Sequence, residues 1–137
     1  MRNDNNQVNF MIKKNPTISP AEFKVLEILW KSSPQSSSQI IDGLKDTESW
    51  HNQTVKTLLS RLVSKKIISY KQEGNRYLYI PLLKKQDYQK ATSYNFIKRV
   101  FGGKVSPLVA YFSKQEKISK EDIKELKAII KDLESND

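Results

Sequence analysis

Residues 52–66 leave the chain little freedom of conformation. Advancing about 100° per residue from Thr54, Val55, Leu58, Leu59, Leu62 and Val63 fall on one arc of a helix, from about 40° to 180°. Gln53, Lys56, Thr57, Ser60, Arg61 and Ser64 fill the rest, from about 200° to 340°. The apolar arc requires a partner surface. The polar arc carries amide, hydroxyl, ammonium and guanidinium groups and no carboxylate, whereas an ordinary solvated helix face mixes both signs. A face without acids is what phosphates and base edges demand of a surface that meets them.

The segments before this helix supply its partner surface. Ser19-Pro20-Ala21-Glu22 is a helix start: Ser19 caps, Pro20 suits the first helical position, and Glu22 reaches back to the cap's own N–H. Phe23, Leu26, Leu29 and Trp30 follow at helical spacing, with Val25 and Ile28 widening the stripe, until Lys31-Ser32-Ser33-Pro34 stops it. Ser36 and Gln39 repeat the capping pattern ahead of Ile40, Ile41 and Leu44, and this shorter helix fades at Gly43 to Lys45. Two short helices and a tight connection suit the opening of a helix-turn-helix.

After the third helix come two short strands, 67–71 and 76–80, around Glu73-Gly74-Asn75, a hairpin by its Gly-containing short loop. Pro81 ends the second. A helix-turn-helix followed at once by a basic-tipped hairpin predicts a winged helix, with Lys71 and Arg76 against nucleic-acid backbone. Tyr70, Tyr77 and Tyr79 are expected to pack on a neighbouring helix, base stacking being the lesser alternative.

The last third is helical. Tyr88, Ala91, Tyr94, Ile97, Val100 and Phe101 form one stripe over 86–101, closed by Gly102-Gly103. Ser106-Pro107 opens a short apolar helix through Leu108 and Phe112, and Ser119 caps a third ahead of Ile123, Leu126, Ile129, Ile130 and Leu133. About 50 residues build no secure core alone, so these stripes are expected to meet a second copy. Packing back onto the winged helix is the alternative. The residues expected at the dimer interface are Tyr88, Ile97, Val100, Phe101, Leu108, Phe112, Leu126 and Ile130. The expected organisation is a tail at 1–15 without apolar period, a winged-helix domain at 16–83 and a helical dimerisation domain at 84–137. The fold class is thus mainly α with a small β-hairpin. Met11 is an alternative start.

Composition narrows the function. The 137 residues carry 24 Lys+Arg against 15 Asp+Glu, a net charge of +9. That charge is concentrated: residues 1–50 are neutral overall, whereas 51–85 hold eight bases and one acid, Glu73. A positive stretch of this density suits a polyanion. No apolar run approaches the ~18–20 residues that cross a bilayer, so no membrane partner and a cytoplasmic location are expected. The absence of cysteine removes disulfides, thiolate metal sites and cysteine nucleophiles, and the single histidine, His51, leaves little material for acid–base catalysis. No Gly-rich phosphate loop or metal-ligand set appears, so neither enzyme activity nor a cofactor is expected.

The stretches "ISPAEFKVLEILW", "TVKTLLSRLVSKKII" and "YLYIPL", in that order and spacing, with "FGGKVSPLVAYF" after them, resemble the BlaI/MecI/CopY family of bacterial repressors over about residues 17–134. The resemblance implies a dimeric repressor on operators with inverted TACA/TGTA half-sites. It places base- and phosphate-contacting positions on Gln53, Thr54, Lys56, Thr57 and Arg61. Lys56 stands where the β-lactam regulators usually have Arg, and Thr-Val-Lys-Thr-Leu-Leu and Trp50 are nearer the copper-responsive members. Those members carry a Cys-x-Cys-x4-Cys-x-Cys motif, absent here, which removes thiolate copper sensing. The β-lactam branch is inactivated through a sensor-protease pathway that cuts an Asn-Phe bond. The matching bond here is Tyr111-Phe112, with dimer packing as an equally weighted role.

The function expected is therefore a sequence-specific DNA-binding repressor, with a general RNA- or DNA-binding winged-helix module as the alternative. Lys56 and Arg61 would supply charge and guanine contacts, and Gln53 and Thr57 would read adenine or the thymine methyl. Ser60 shares that exposed face, and Ser64, Lys65, Lys71 and Arg76 would hold the backbone.

Overall fold

The computed structural model describes residues 17–115 and 118–136; the expected tail 1–15 and the alternative start at Met11 lie outside the described residues. Six helices and three strands follow in order: α1 (Pro20–Lys31), β1 (Gln35–Ser36), α2 (Ser37–Leu44), α3 (Asn52–Ser64), β2 (Ile68–Glu73), β3 (Arg76–Pro81), α4 (Lys85–Phe101), α5 (Ser106–Gln115) and α6 (Lys120–Ser135), counted among the described residues.

Local chemistry sets the helix ends. The Ser19 hydroxyl accepts from the Glu22 N–H at 3.1 Å, and the Glu22 carboxylate accepts from the Ser19 N–H at 2.8 Å. Ser36 and Gln39 repeat the pair at 3.2 and 2.8 Å. Helix α3 ends differently. Lys66 adopts the left-handed conformation with φ 62°, the Ile67 N–H donates to the Leu62 carbonyl at 3.0 Å, and the Lys66 N–H donates to Val63, also at 3.0 Å. Those two bonds form a Schellman close in which lysine stands where glycine is usual. Ile67 and Leu62, both buried, provide the apolar contact that accompanies it.

The hairpin is part of a larger sheet. Strands β2 and β3 pair antiparallel from Ile68↔Pro81 to Glu73↔Arg76, and β1 joins the other edge of β3 through Gln35↔Tyr79 and Ser36↔Leu78. The order is β1-β3-β2. Strand β1 has no signature in the sequence because it is two residues long, and Ser36 also serves as a helix cap. Gly74 has φ 63° and occupies the first central position of the two-residue turn, where a positive φ matches the twist of the flanking strands.

The core lies where α1, α2 and α3 meet the sheet. Val25, Leu26 and Leu29, Ile40 and Leu44, and Val55, Leu58, Leu59 and Leu62 are all buried, with Ile67, Ile68, Leu83 and Ala91 completing it. Each aliphatic side chain taken from water contributes about 1.5–3 kcal/mol, and the α3 stripe read from the sequence supplies four of these residues. Helices α1 and α2 approach closely at Gly43, where a Cβ would stand 3.2 Å from Ile28 Cδ1.

The chain divides into two compact units between Ser93 and Tyr94; the boundary expected from sequence lay after Leu83. The start of α4 belongs to the first unit. Tyr88 packs there at ring-centroid distances of 5.9 Å from Phe23 and 6.1 Å from Trp30, while Trp30 Nε1 donates to the Leu83 carbonyl at 2.8 Å. Tyr88, expected at the dimer interface, thus packs against α1 of its own chain. Asp87, buried in the first turn of α4, leaves Oδ2 without a hydrogen-bond partner among the described residues.

Candidate nucleic-acid interface

Helix α3 turns its apolar arc into the core and its polar arc outward. Gln53, Thr54, Lys56, Thr57, Ser60, Arg61 and Ser64 are all exposed. The Thr57 hydroxyl donates to the Gln53 carbonyl at 3.0 Å, which orients its methyl and leaves its lone pairs as acceptors. The helix has no acid in its first turn, so nothing opposes an approaching phosphate.

The wing meets this face along a cleft of about 320 Å³ lined by Ser37, Lys56, Ser60, Asn75, Arg76 and Tyr77, together with Tyr79. Lys56 and Ser60 from α3 are thus brought together with Arg76 from the hairpin. Lys71 is not among the lining residues; alternation along the strand puts it with its cross-strand partner Leu78, on the face opposite Tyr70 and Tyr79. Arg76 Nη2 lies 3.6 Å from Glu73 Oε1, both side chains more than half exposed, a pairing worth little in water.

The tyrosines divide between two roles. Tyr70 and Tyr77 stack on each other with centroids 4.3 Å apart and remain exposed, so the helix packing expected of them is not what they do. Tyr79 does pack on the core. Burial, followed by the neighbouring Tyr70 and Tyr77 phenols, pushes its hydroxyl above the usual 10.0, which keeps it a neutral donor. Ser37 and Asn75 were missed by sequence reasoning because capping and turn chemistry already accounted for that stretch.

Lys65, expected from sequence to hold the DNA backbone, is engaged within the chain. Its ammonium donates to both Glu22 oxygens at 2.8 and 2.9 Å and to the Thr17 carbonyl at 2.7 Å. It ties the end of α3 to the start of α1. A lysine stem is long enough to bend back to a buried carboxylate, and Glu22 is 2% exposed.

In the second unit, Ile97, Phe101 and Leu108 are half-buried, whereas Val100, Phe112, Leu126 and Ile130 are exposed. Phe101 rests against Phe96 and Tyr111 at 5.7 and 6.3 Å. A groove of about 350 Å³ runs past Leu108, Val109, Phe112, Leu126 and Ile129. Helix α6 has no buried residue. Tyr111 and Phe112 both lie within α5 and are exposed. Among the described residues no helix is long and apolar enough to cross a membrane, and no group of His, Asp or Glu could hold a metal.

The fold is a winged helix-turn-helix, and the acid-free face of α3 beside a basic wing gives it the surface of a nucleic-acid-binding protein. The sequence profile of the penicillinase repressor family matches residues 18–132, and the chain belongs to that family. It is 32% identical over 121 residues to the penicillinase repressor of Bacillus licheniformis, covering 88% of this chain and 94% of that one. It is 33% identical over 120 residues to the methicillin resistance regulatory protein MecI of Staphylococcus aureus (strain N315), covering 88% and 98%. The solution structure of the DNA binding domain of the repressor BlaI is 34% identical, covering 53% of this chain and 89% of that chain with a TM-score of 0.49.

Proposed function

We propose that this chain is a sequence-specific transcriptional repressor that binds duplex operator DNA as a homodimer. The observation that carries the reading is the exposed face of α3, seven polar or basic side chains without an acid, held rigidly over four buried aliphatic residues. Each subunit places α3 in a major groove, with half-sites about one helical turn apart. Gln53, Thr57 and Arg61 read base edges, Lys56 supplies charge, and Thr54, Ser60 and Ser64 lie along the same face. Promoter occupancy represses, and no catalytic step is involved.

The exposed apolar side chains of α5 and α6 support dimerisation. Phe112, Ile129, Ile130 and Leu133 are each more than half exposed, an arrangement that burial against a second copy would relieve. Tyr111 and Phe112 belong to this surface, so cleavage between them, by a sensor-protease pathway, would divide it and release the operator. Bivalent engagement supplies much of the affinity, so loss of the dimer is induction.

The test is anisotropy binding to a duplex with inverted TACA/TGTA half-sites against a scrambled duplex at ~150 mM salt. A preference of about a hundredfold, roughly 2.7 kcal/mol, is expected. Equal, salt-sensitive binding to both duplexes would replace the repressor by a general nucleic-acid module.

A further inference from the structure

We infer that Lys24 and Glu48 are positioning residues for base readout: their ion pair fixes the entry of α3 to α1 and so sets the angle at which the recognition helix meets the major groove. This rests on the reading of the chain as a sequence-specific DNA-binding protein, and it accounts for an acid placed just ahead of a helix whose exposed face has none.

Three observations carry it. The start of α3 is not held by a cap of its own. Helices α1, α2 and α6 each begin at a serine whose hydroxyl accepts a backbone N–H, whereas α3 begins at His51, which makes no side-chain cap. Close packing does not hold the entry either. A hollow of about 100 Å³ lies beneath the connection from α2, lined by Leu44 of α2, Asn52 and Val55 of α3, and Glu48 and Trp50 of the connection; side chains facing a void lose dispersion contacts on that side. What reaches across is charge. Glu48 pairs with Lys24 of α1, 24 residues away along the chain. The Glu48 side chain is 11% exposed against 48% for Lys24, so the carboxylate is largely withdrawn from water, and a loop position that keeps the ammonium within reach is favoured. Lys45, which also lines the hollow, is engaged by Asp42 at 3.0 Å.

The far end of α3 carries the complementary tie. Lys65, the residue that caps its end, is held by Glu22, two residues before Lys24 on α1. One turn of α1 thus grips the recognition helix at both ends, through a cation at the entry and an acid at the exit. A small rotation of α3 costs phosphate contacts little, because long cationic side chains follow the backbone. Hydrogen bonds to base edges need fixed directions. Loosening the entry therefore removes preference among sequences and leaves the general attraction to DNA in place.

The experiment compares the full chain with Glu48→Gln, Lys24→Gln and the double swap Lys24→Glu/Glu48→Lys. Anisotropy at ~150 mM salt measures the ratio of affinities for the inverted-repeat and scrambled duplexes, and circular dichroism checks folding. Each single variant is expected to lower that ratio about 5- to 20-fold, the size of one lost base contact, and the swap to bring it back within about twofold of wild type. An acid that merely repelled phosphate would, on becoming Gln, raise affinity for both duplexes alike and leave the ratio unchanged. A ratio unchanged in both single variants, or lost in both and not regained in the swap, overturns the inference. If the wild type itself shows no preference, the repressor reading fails, and the brace is judged on hydrogen exchange in the free protein. The Thr54 and Val55 amides, which donate to the His51 carbonyl at 3.0 and 3.3 Å, should then exchange several-fold faster in both single variants while those of Leu26 and Leu29 keep their rates. Equal exchange at Thr54 and Val55 in wild type and variants overturns the brace as well.

Discussion

Lys65 Nζ lies 2.8 Å from Glu22 Oε1 and 2.9 Å from Oε2, so the residue that ends the recognition helix is held by the residue that completes the cap of α1. Burial pushes the Glu22 carboxyl up, but hydrogen bonds from Lys65 and from Ser19 outweigh it and leave the group below its usual 4.5. A carboxyl whose value is lowered by folding contributes stability that is fully present above the unfolded value and lost as pH falls through the folded one. Urea unfolding followed downward from neutral pH should therefore show the wild type losing stability below about pH 4.5 more steeply than Glu22→Gln. At neutral pH that variant should be less stable by about 1–3 kcal/mol. Parallel pH profiles would remove the pair from the stability account.

Lys65→Ala separates a structural lysine from one that contacts DNA. Its stability should fall while the salt slope of DNA binding stays unchanged, because its charge is already compensated by Glu22. A slope reduced by about one would return Lys65 to the backbone contacts expected from sequence.

Lys66 tests the close of α3. An L-residue in the left-handed region costs about 1–2 kcal/mol, part of which glycine gives back through its freer unfolded chain. Lys66→Gly should raise stability by roughly 0.5–1 kcal/mol in urea titration. Destabilisation would mean that the lysine stem makes a contact of greater worth than the strain.

On the recognition face, replacing Gln53 or Arg61 by Ala should cost about 1–3 kcal/mol and relax preference at one base pair. Lys71→Ala should weaken all duplexes alike and lower the salt slope by about one. A shift of sequence preference on losing Lys71 would move the wing off the backbone.

In the second unit, Ile130→Asp places a charge on a side chain that is 54% exposed. The fold of the chain should survive, and sedimentation at micromolar protein should move from dimer to monomer with a parallel loss of operator affinity. A dimer that persists through this change places the interface elsewhere.

The helices, their caps and the composition of the α3 face were determined by the sequence, because each depends on interactions within about four residues: Ser19 with Glu22, Ser36 with Gln39, Val55 with Leu58 and Leu59, and Leu58 with Leu62. The polar arc of α3 was legible for the same reason, since a helix with one buried stripe must expose the other. What the tertiary structure decided involves partners far apart along the chain. Strand β1 exists because Gln35 and Ser36 find Tyr79 and Leu78. Tyr88 belongs to the first unit because Phe23 and Trp30 are there to receive it. Lys65 lies 43 residues from Glu22, and no local pattern distinguishes a lysine that will reach back to a buried carboxylate from one that will stay in water. The cleft that joins Ser37, Lys56 and Arg76 has the same origin, for its charge is written in the sequence and its geometry arises only when the wing closes on the helix.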